Sequence, residues 1–600
     1  MRRLIIAWIA VVAAGWATPT LYSGGDIVTM AGKKPHYVEA VVEQNGRIVY
    51  VGTLKEATAR YKDARKVDLH GRTMLPAFFD PHGHLLLTTL LESYVDLNAP
   101  PIGDVDSIAK LQAKLKAYIN THRLKPGEWV IGMNYDDTGM KEQRHPTKAD
   151  LDAVSTEHPI YIMHSSSHFG VANSLALKRA GIDDSVKDPK GGKFYRDAKG
   201  HLTGVMEEGP AFTQVMMHIT PVAPQKAMEA VAQTLRNRYA AQGMTTAQEC
   251  GGALPGFVAL MRAMAKEGKL FIDVLAYPNW DNRAVLHDAN LSKGYQGGFR
   301  IGGVKIIMDG SIQGYTAYLS SPYFKVPSKL DAAGSACDAT YKAALLVKSK
   351  KPTSHHKPEA KCNAKGFVSR PSYTQEELDR MMATSLAKGW HTMVHCNGDA
   401  AIDMVLKALK KASPKGDHRT CIVHAQTIRN DQLDTVKKLG MALTLFPSHI
   451  YYWGDRHASK FLGPKRTERL DPMRDVIDRE IAYTIHHDSP VTPTNVLEMI
   501  HFAVNRTSLS GKVYGKDQAM TVYEALQAVT INAAFQHFEE KQKGTLEVGK
   551  QADFVILSHN PLKTHKTKLR DIQVLETIND GQSVYKKRAN DEKIAVKNSY

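Results

Sequence analysis

The feature that most restricts the fold of this 600-residue chain is an alternation of short apolar runs with amphipathic stretches across its middle. Alternating strand-like and helix-like segments predict an α/β fold with parallel strands, arranged as a sheet or a barrel. The strand-like runs are Leu270–Ala276, Gly303–Met308, Trp390–His395, Thr420–His424, Ala442–Phe446 and Ala482–His487. The helix-like stretches include Gln375–Lys388, Ala400–Lys411 and Asp431–Leu439.

The length of this alternating region calls for insertions, because a (β/α)8 barrel takes only about 250 residues. We predict a (β/α)8 TIM-type barrel over residues 76–539, with insertions near 90–235 and 325–370. Short β-type segments in 18–75 and 540–590 predict a composite β-sandwich domain built from both termini. Hydrophobic residues at 43% and charged residues at 23% are ordinary globular values, which exclude a fibre or wholesale disorder.

The first residues have the pattern of an export signal. The basic pair Arg2 and Arg3 precedes an apolar run, Leu4–Ala17, which is shorter than the roughly 20 residues that span a bilayer core. We predict a signal peptide over 1–17, a periplasmic or secreted protein, and no stable membrane insertion after cleavage. An uncleaved membrane anchor is the alternative.

Much of the net charge of +17 lies in two stretches. Lys325–Arg370 holds ten basic residues against three acidic ones, and Asn560–Tyr600 holds nine against five. Neither stretch has the interleaved aromatic side chains of a nucleic-acid stacking platform, and no nucleic-acid-binding motif stands out elsewhere. We therefore predict solvated surface segments and no nucleic-acid partner. Nucleic-acid binding through the basic 325–370 stretch is the competing hypothesis.

The five cysteines are too few for a disulfide framework in a chain of this length. Export would permit a disulfide, and Cys337 and Cys362, both in the basic stretch, are the candidate pair. Cys250, Cys396 and Cys421 lie in apolar, strand-like runs and are predicted to be reduced core residues.

Several potential metal ligands stand at the ends of predicted strands. His82 and His84 follow an apolar run, and residues i and i+2 of an extended segment point to the same side. His395, His424 and Asp488 each end or follow a later strand-like run, at spacings of about one or two βα units. Barrel active sites form at the carboxyl ends of the strands, so these side chains should converge there. Imidazole and carboxylate ligands suit zinc, manganese or iron.

Lys305 lies inside a predicted strand, where an unpaired charge is costly to bury. One interpretation is a salt bridge, for example to Asp309. The other is that desolvation lowers the pKa of the lysine, so that CO2 converts it to a carbamate that bridges two metal ions.

Segments spread over most of the chain resemble the amidohydrolase superfamily and, within it, the YtcJ-like (amidohydrolase 3) group. The segments that carry the resemblance are Asp80–His84 (DPHGH), His168–Leu177 (HFGVANSLAL), Lys305–Ala317 (KIIMDGSIQGYTA), His395–Asp399 (HCNGD), Asp488–Val491 (DSPV) and Gly544–Leu557.

The resemblance implies the barrel with a β-sandwich, and a divalent metal cofactor, zinc foremost, as one or two ions. His82, His84 and Asp488 would hold one ion; His395 and His424 would hold the other, with a carbamylated (N6-carboxylated) Lys305 as the bridge. The full set of implied ligands is His82, His84, Lys305, His395, His424 and Asp488.

The resemblance and the export signal together imply a secreted metal-dependent amidohydrolase that cleaves non-peptide C–N bonds of a small molecule. Hydroxide generated at the metal would attack a carbonyl carbon. Asp488 is the candidate catalytic residue, as the shuttle that passes the proton of the water to the leaving group. An ester or lactone hydrolase at the same site, and a non-catalytic binding or regulatory protein on the same barrel, are the alternatives.

Three further residues are candidates for substrate binding. His168 and Glu207 lie in the predicted first insertion, and His449 follows a strand end; a structural role is the alternative for His168 and Glu207. The identity of the substrate is left open, as is the formation of a homodimer.

Overall fold

We describe the fold from a computed structural model of the chain. The residues that the structure describes are 18–219, 223–286, 294–325 and 368–588.

Several sequence-based predictions fall outside these residues. They are the signal peptide over 1–17, the candidate disulfide Cys337–Cys362 and nearly all of the basic 325–370 insertion. Within the described residues, the three remaining cysteines are buried and unpaired. The same residues contain no helix with the length and apolar character needed to cross a bilayer.

The secondary structure alternates strands and helices, as the sequence indicated. The strands, numbered along the chain, are β1 (Thr20–Val28), β2 (Tyr37–Gln44), β3 (Arg47–Gly52), β4 (Arg65–Asp68), β5 (Thr73–Pro76), β6 (Phe78–Phe79), β7 (Val95–Asp96), β8 (Val130–Tyr135), β9 (Ile160–His164), β10 (Phe169–Ala172), β11 (Lys193–Arg196), β12 (Leu202–Glu207), β13 (Met244–Gly251), β14 (Asp273–Pro278), β15 (Phe299–Ile301), β16 (Gly303–Ile307), β17 (His391–Cys396), β18 (Cys421–His424), β19 (Ala442–Leu445), β20 (Ala482–Ile485), β21 (Phe554–Leu557), β22 (Val574–Asn579) and β23 (Gln582–Lys586).

The α-helices of the described residues are Leu54–Arg60, Leu85–Ser93, Ile108–His122, Lys148–Asp152, Ser174–Arg179, Gly209–Met216, Pro224–Thr234, Pro255–Lys266, Gln375–Ala387, Asp399–Ala412, Asn430–Lys438, Gly454–Arg456, Pro464–Thr467, Met473–Asp478, Val496–Asn505, Val522–Ala528 and Ile531–Gln536.

One sheet joins the two ends of the described chain. Its strand order is β23-β22-β21-β5-β1-β2-β3, with β4 paired to β1. The junction is the antiparallel pair β5–β21, in which Leu75 lies opposite Val555. Residues from both ends share one buried apolar cluster, including Tyr22, Ile27 and Phe554. The apolar face of this sheet is made by strands from both the amino-terminal and the carboxyl-terminal segment, so neither segment could bury it alone.

The barrel consists of two arcs of parallel strands. One arc has the order β15-β14-β13-β6, and the other runs β16-β17-β18-β19-β20. Strands β15 and β16 are separated only by Gly302, and a parallel bridge between Asn279 and Lys305 connects the arcs there. At the other junction the amide of His84 donates a hydrogen bond of 2.8 Å to the carbonyl of Ser489. The predicted fold class, a TIM-type barrel with a β domain, is confirmed.

The first insertion forms a mixed sheet with its own core. The order of its strands is β11-β12-β10-β9-β8-β7, in which β7, β8 and β9 are parallel. The buried residues that form its core include Val130, Tyr135, Ile162, Phe169 and Val205. The sequence indicated an insertion here but not this sheet.

Candidate metal centre

His82 and His84 reach the same carboxylate across the mouth of the barrel. Both follow strand β6, whereas Asp488 follows strand β20. The Nε2 atoms of His82 and His84 lie 3.2 and 3.3 Å from Asp488 Oδ1. His82 is buried and the side chain of His84 is 20% exposed, so His84 lies on the open side of the cluster.

His424 and His486 complete this cluster. His424 Nε2 lies 3.9 Å from Asp488 Oδ2, and His486 Nε2 lies 3.1 Å from His424 Nδ1. His486 was not among the ligand candidates named from the sequence, but the structure groups it with them. His424 and Asp488 both adopt left-handed backbone conformations, with φ of 71° and 55°. Such conformations are costly for residues other than glycine and concentrate at functional sites.

The donor set is suited to binding a divalent metal. Donor atoms of His82, His424, His486 and Asp488 lie within 4.8 Å of one another, and all four residues are buried. Within the described residues, Asp488 Oδ1 accepts no hydrogen bond of good geometry. Buried imidazole and carboxylate donors around an unsatisfied oxygen are suited to zinc, which prefers three or four such ligands.

Burial and neighbouring groups set the protonation of these residues. Burial opposes the charged form of Asp488, but His424, His82 and His84 outweigh it and hold the pKa of Asp488 well below its usual range. Burial, reinforced by Lys305, lowers the pKa of His82 to about 3. The carboxylate is therefore ionised and the imidazole neutral, which are the forms that bind metal.

Lys305 lies beside this cluster, and Asp309 does not pair with it. Lys305 is 2% exposed and its Nζ lies 3.4 Å from His82 Nε2. Asp309 Oδ1 instead lies 3.2 Å from Nδ1 of His395. His395 continues the cluster, since its ring centroid is 4.7 Å from that of His424. The structure thus brings together all six of the ligand candidates that the sequence predicted.

Strand β13 supplies two residues that the sequence analysis missed. Gln248 Oε1 lies 3.3 Å from His82 Nδ1. Glu249 accepts backbone hydrogen bonds from Leu86 at 2.6 Å and Gly252 at 2.8 Å, which hold the segment after His84 in place. This strand reads Met-Thr-Thr-Ala-Gln-Glu-Cys-Gly, so hydrophobicity does not reveal it.

The insertion places His168 beside the cluster. Nδ1 of His168 lies 3.0 Å from both carboxylate oxygens of Glu208, and its ring centroid is 5.4 Å from that of His395. Burial opposes protonation of His168, but Glu208 outweighs it and raises the pKa of the imidazole. Glu208 was not identified from the sequence, although it adjoins the candidate Glu207.

The other two substrate-binding candidates have different surroundings. Glu207, the last residue of strand β12, accepts a hydrogen bond of 2.5 Å from the hydroxyl of Tyr195. His449 is 3% exposed; its Nδ1 lies 3.2 Å from Asp471, and its ring centroid is 5.9 Å from that of His424. His449 therefore borders the cluster, whereas Glu207 is held by Tyr195.

A second group of acidic and imidazole side chains lies in the insertion. It contains Asp136, Asp137 and His164. Both carboxylates already have partners, because Arg456 Nη1 lies 3.0 Å from Asp136 and His164 Nε2 lies 3.1 Å from Asp137. A guanidinium in this position disfavours a bound cation.

Histidines and an aspartate gathered at the carboxyl ends of the strands of a TIM-type barrel form the kind of site that metal-dependent hydrolases use. The sequence profile of the amidohydrolase family matches residues 65–585 of this chain. The chain therefore belongs to the amidohydrolase family and is a metal-dependent hydrolase. This confirms the resemblance and the enzyme class predicted from the sequence.

Two curated relatives match over nearly their full length. The chain is 26% identical over 556 residues to an N-substituted formamide deformylase from Arthrobacter pascens, covering 92% of this chain and 95% of the relative. It is 27% identical over 590 residues to the putative amidohydrolase YtcJ of Bacillus subtilis (strain 168), covering 94% and 99%.

The fold is also that of a solved structure. An uncharacterized metal-dependent hydrolase from Pyrococcus horikoshii OT3 superposes with a TM-score of 0.68 at 24% identity, covering 91% of this chain and 99% of the other.

Proposed function

We propose that this chain is an exported, zinc-dependent hydrolase of amide-type, non-peptide C–N bonds in small molecules. The observation that carries the proposal is the buried set of His82, His424, His486 and Asp488 donors around one point at the barrel mouth. The formamide-cleaving relative supports the choice of an amide bond. The apolar run after Arg2 and Arg3 supports export.

His82, His84 and Asp488 would hold one zinc ion. His424 would serve the second ion position with His395, and His486, whose Nε2 lies 3.1 Å from Nδ1 of His424, would support that ring. A bound divalent metal lowers the pKa of its water to about 7 and polarises a carbonyl oxygen. The burial of His82 keeps its imidazole neutral and excludes bulk water from that side of the site.

Asp488 is the residue we assign to proton transfer. Its carboxylate is ionised, because its pKa is held well below the usual range, so it can accept a proton from the attacking water. It then returns that proton to the leaving nitrogen, which departs as a neutral amine. A carbonyl substrate would enter from the side of His84, where the cluster is partly exposed.

His168 and His449 are the residues we assign to substrate binding. Glu208 holds Nδ1 of His168, so Nε2 remains available to donate a hydrogen bond to the carbonyl oxygen of a substrate. His449 lies beside His424 and can contact the part of the substrate that leaves. The carboxylate of Glu207 already accepts a hydrogen bond from Tyr195, so we assign Glu207 a supporting role rather than direct contact with the substrate.

Lys305 is the residue we propose to be carbamylated. The neutral amine attacks CO2, a C–N bond forms, and one proton is released, which leaves an anionic carbamate. Conversion would place an anion among the histidines, where it could help to bind a second ion together with His395 and His424. Its position 3.4 Å from His82 Nε2 supports this assignment.

The test is a substrate panel with full-length, zinc-loaded protein. We expect hydrolysis of N-substituted formamides, N-acyl amino acids or cyclic amides, and slower or no hydrolysis of esters and lactones with the same substituents. Asp488→Asn should abolish turnover. Faster hydrolysis of the matched esters or lactones would reassign the reaction, and an inactive panel with no bound zinc would contradict the proposal. Export is tested separately, by the loss of protein from the periplasm or medium when residues 1–17 are removed.

A further inference from the structure

A continuous chain of polar side chains runs through the interior of the barrel, where branched aliphatic residues normally pack. It begins at His82 and ends at the opposite, amino-terminal face, at the backbone carbonyl of Arg419. Its successive members are His82, Gln248, His537, Tyr277 and His391. Except for His82, none of these residues is a ligand candidate.

The contact between His391 and the carbonyl of Arg419 fixes which atom donates in each hydrogen bond of this series. His391 Nε2 lies 2.8 Å from the carbonyl oxygen of Arg419, which can only accept, so Nε2 carries the hydrogen. Burial lowers the pKa of His391 to about 4, so its Nδ1 is unprotonated. The hydroxyl of Tyr277, 2.8 Å from that Nδ1, must therefore donate to it.

The donor in each of the next two hydrogen bonds, Tyr277–His537 and His537–Gln248, follows from the one before it. Tyr277 has used its one hydrogen, so it accepts from Nδ1–H of His537 at 3.0 Å. Burial lowers the pKa of His537, which is then neutral with an unprotonated Nε2. That atom faces two amide nitrogens, Nε2 of Gln248 at 3.2 Å and Nε2 of Gln536 at 3.3 Å, and can accept from both.

The last link reaches the metal centre. With its Nε2 donating to His537, Gln248 presents Oε1 to His82 Nδ1 at 3.3 Å. An amide oxygen only accepts, so His82 carries its hydrogen on Nδ1 and its Nε2 bears the lone pair. This Nε2 is the atom that lies 3.2 Å from Asp488 Oδ1 inside the ligand cluster.

Two independent observations support this arrangement. The orientation of Gln536 is fixed because its Nε2 lies 3.0 Å from the carbonyl of Pro81, while its Oε1 accepts from Thr484 at 2.7 Å. The tyrosine has space only because residue 302 is glycine: a Cβ at Gly302 would lie 2.6 Å from the Tyr277 hydroxyl. The sequence therefore leaves room for this chain of hydrogen bonds.

We infer that Gln248, His537, Tyr277 and His391 are positioning residues that hold His82 in the Nδ1–H tautomer, with Nε2 presented for metal binding. The inference rests on the proposed function, since it concerns the same metal centre. Partners on the distal nitrogen of a metal-binding histidine commonly change metal affinity about 10–100-fold when removed. Here the partner is a relay of four hydrogen-bonded side chains, Gln248, His537, Tyr277 and His391. A substitution at any of them should therefore lower the metal affinity of the site.

The decisive variant is Tyr277→Phe, which removes one hydroxyl in the middle of the relay. Its matched control is Tyr161→Phe, which removes a buried hydroxyl that has no hydrogen-bond partner among the described residues. Zinc affinity of the full chain is measured by competition with a chromophoric chelator, and the metal-free melting temperature is measured for each protein. Gln248→Met, which breaks the link next to His82, is the second variant in case Tyr277→Phe does not fold.

We expect Tyr277→Phe to bind zinc about 10-fold more weakly, Gln248→Met at least as weakly as that, and Tyr161→Phe as tightly as the wild type. Unchanged zinc affinity in either folded relay variant would overturn the inference. An equal loss of affinity in Tyr161→Phe would also overturn it, because the effect would then be a general response to a lost hydroxyl. Absence of zinc binding by the wild type would instead contradict the proposed function.

Discussion

Asp309 holds His395 in place with a carboxylate that is itself held by the backbone. Asp309 Oδ1 lies 3.2 Å from His395 Nδ1, and its two oxygens accept from the amides of Asn397, Gly398 and Tyr318 at 2.8 to 3.0 Å. Nδ1 of the imidazole is thereby held beside a carboxylate, and its Nε2 lies 3.3 Å from Nδ2 of Asn397. A carboxylate behind a histidine in this way fixes the ring and strengthens it as a ligand.

Asp309→Asn should weaken zinc binding on the order of 10-fold, because an amide in this place cannot accept all of these hydrogen bonds. Affinity is measured by chelator competition on the full chain. Asp434→Asn is the control, since Asp434 forms an exposed pair with Arg479. If both variants bind zinc equally tightly, His395 does not depend on Asp309 for its orientation.

Lys543 is predicted to be essential for stability, at the amino-terminal end of the barrel. Its buried ammonium contacts Asp273 and lies 3.7 Å from Glu539 and 3.9 Å from Asp553. Lys543→Met leaves these carboxylates without their counterion and should destabilise the fold by about 3–5 kcal/mol. Urea unfolding measures the change. Lys563→Met, at an exposed pair with Asp26, should change stability by less than about 1 kcal/mol.

Asp553 should make stability fall as the pH rises from about 4 to about 7. Burial, opposed by Lys543, raises the pKa of Asp553 from 3.8 to about 7. In this window the folded state keeps a proton that the unfolded state releases, so its contribution is complete below pH 3.8 and is lost on passing pH 7. The slope is at most about 1.4 kcal/mol per pH unit.

Asp553→Asn should flatten this dependence, because the amide cannot titrate, while its oxygen still accepts from the amide of Asp580. Unfolding free energies at pH 5 and pH 7.5 are compared for both proteins. A variant whose stability falls with pH as steeply as that of the wild type would place the titrating group elsewhere, for example at Asp273, whose pKa is also raised by burial.

Carbamylation of Lys305 predicts dependence on CO2. Protein prepared with 13C-bicarbonate should show a carbamate carbon signal that is missing from Lys305→Met. Zinc stoichiometry should fall in that variant, because the bridge to His395 and His424 is lost. Full zinc content in Lys305→Met, or a wild type without the 13C signal, would contradict carbamylation.

The ligand candidates could be predicted because barrel geometry makes their positions regular. His82, His395, His424 and Asp488 each stand where a strand ends, and parallel strands bring those ends to one rim. The spacing along the chain is therefore enough to group them.

The supporting residues could not be predicted, because their partners are distant in sequence. Gln248 and Glu249 lie on strand β13. This strand is buried but contains two threonines, a glutamine and a glutamate, so a search for apolar runs does not find it. Tyr277 and His537 are 260 positions apart, and only the closed barrel brings them to 3.0 Å. The sheet of the first insertion was also missed, although its strands β7 to β10 pair in chain order and only β11 and β12 exchange places.

Metal-dependent hydrolysis at the His82–Asp488 cluster is tested by measuring zinc content and turnover together on the full-length chain. The wild type should carry stoichiometric zinc, lose hydrolysis of its amide substrate when the zinc is chelated, and recover it on adding zinc back. His82→Ala should lose both zinc and turnover while Tyr161→Phe keeps both. Turnover that persists in a wild type stripped of metal, or in His82→Ala, would contradict the assignment of this site.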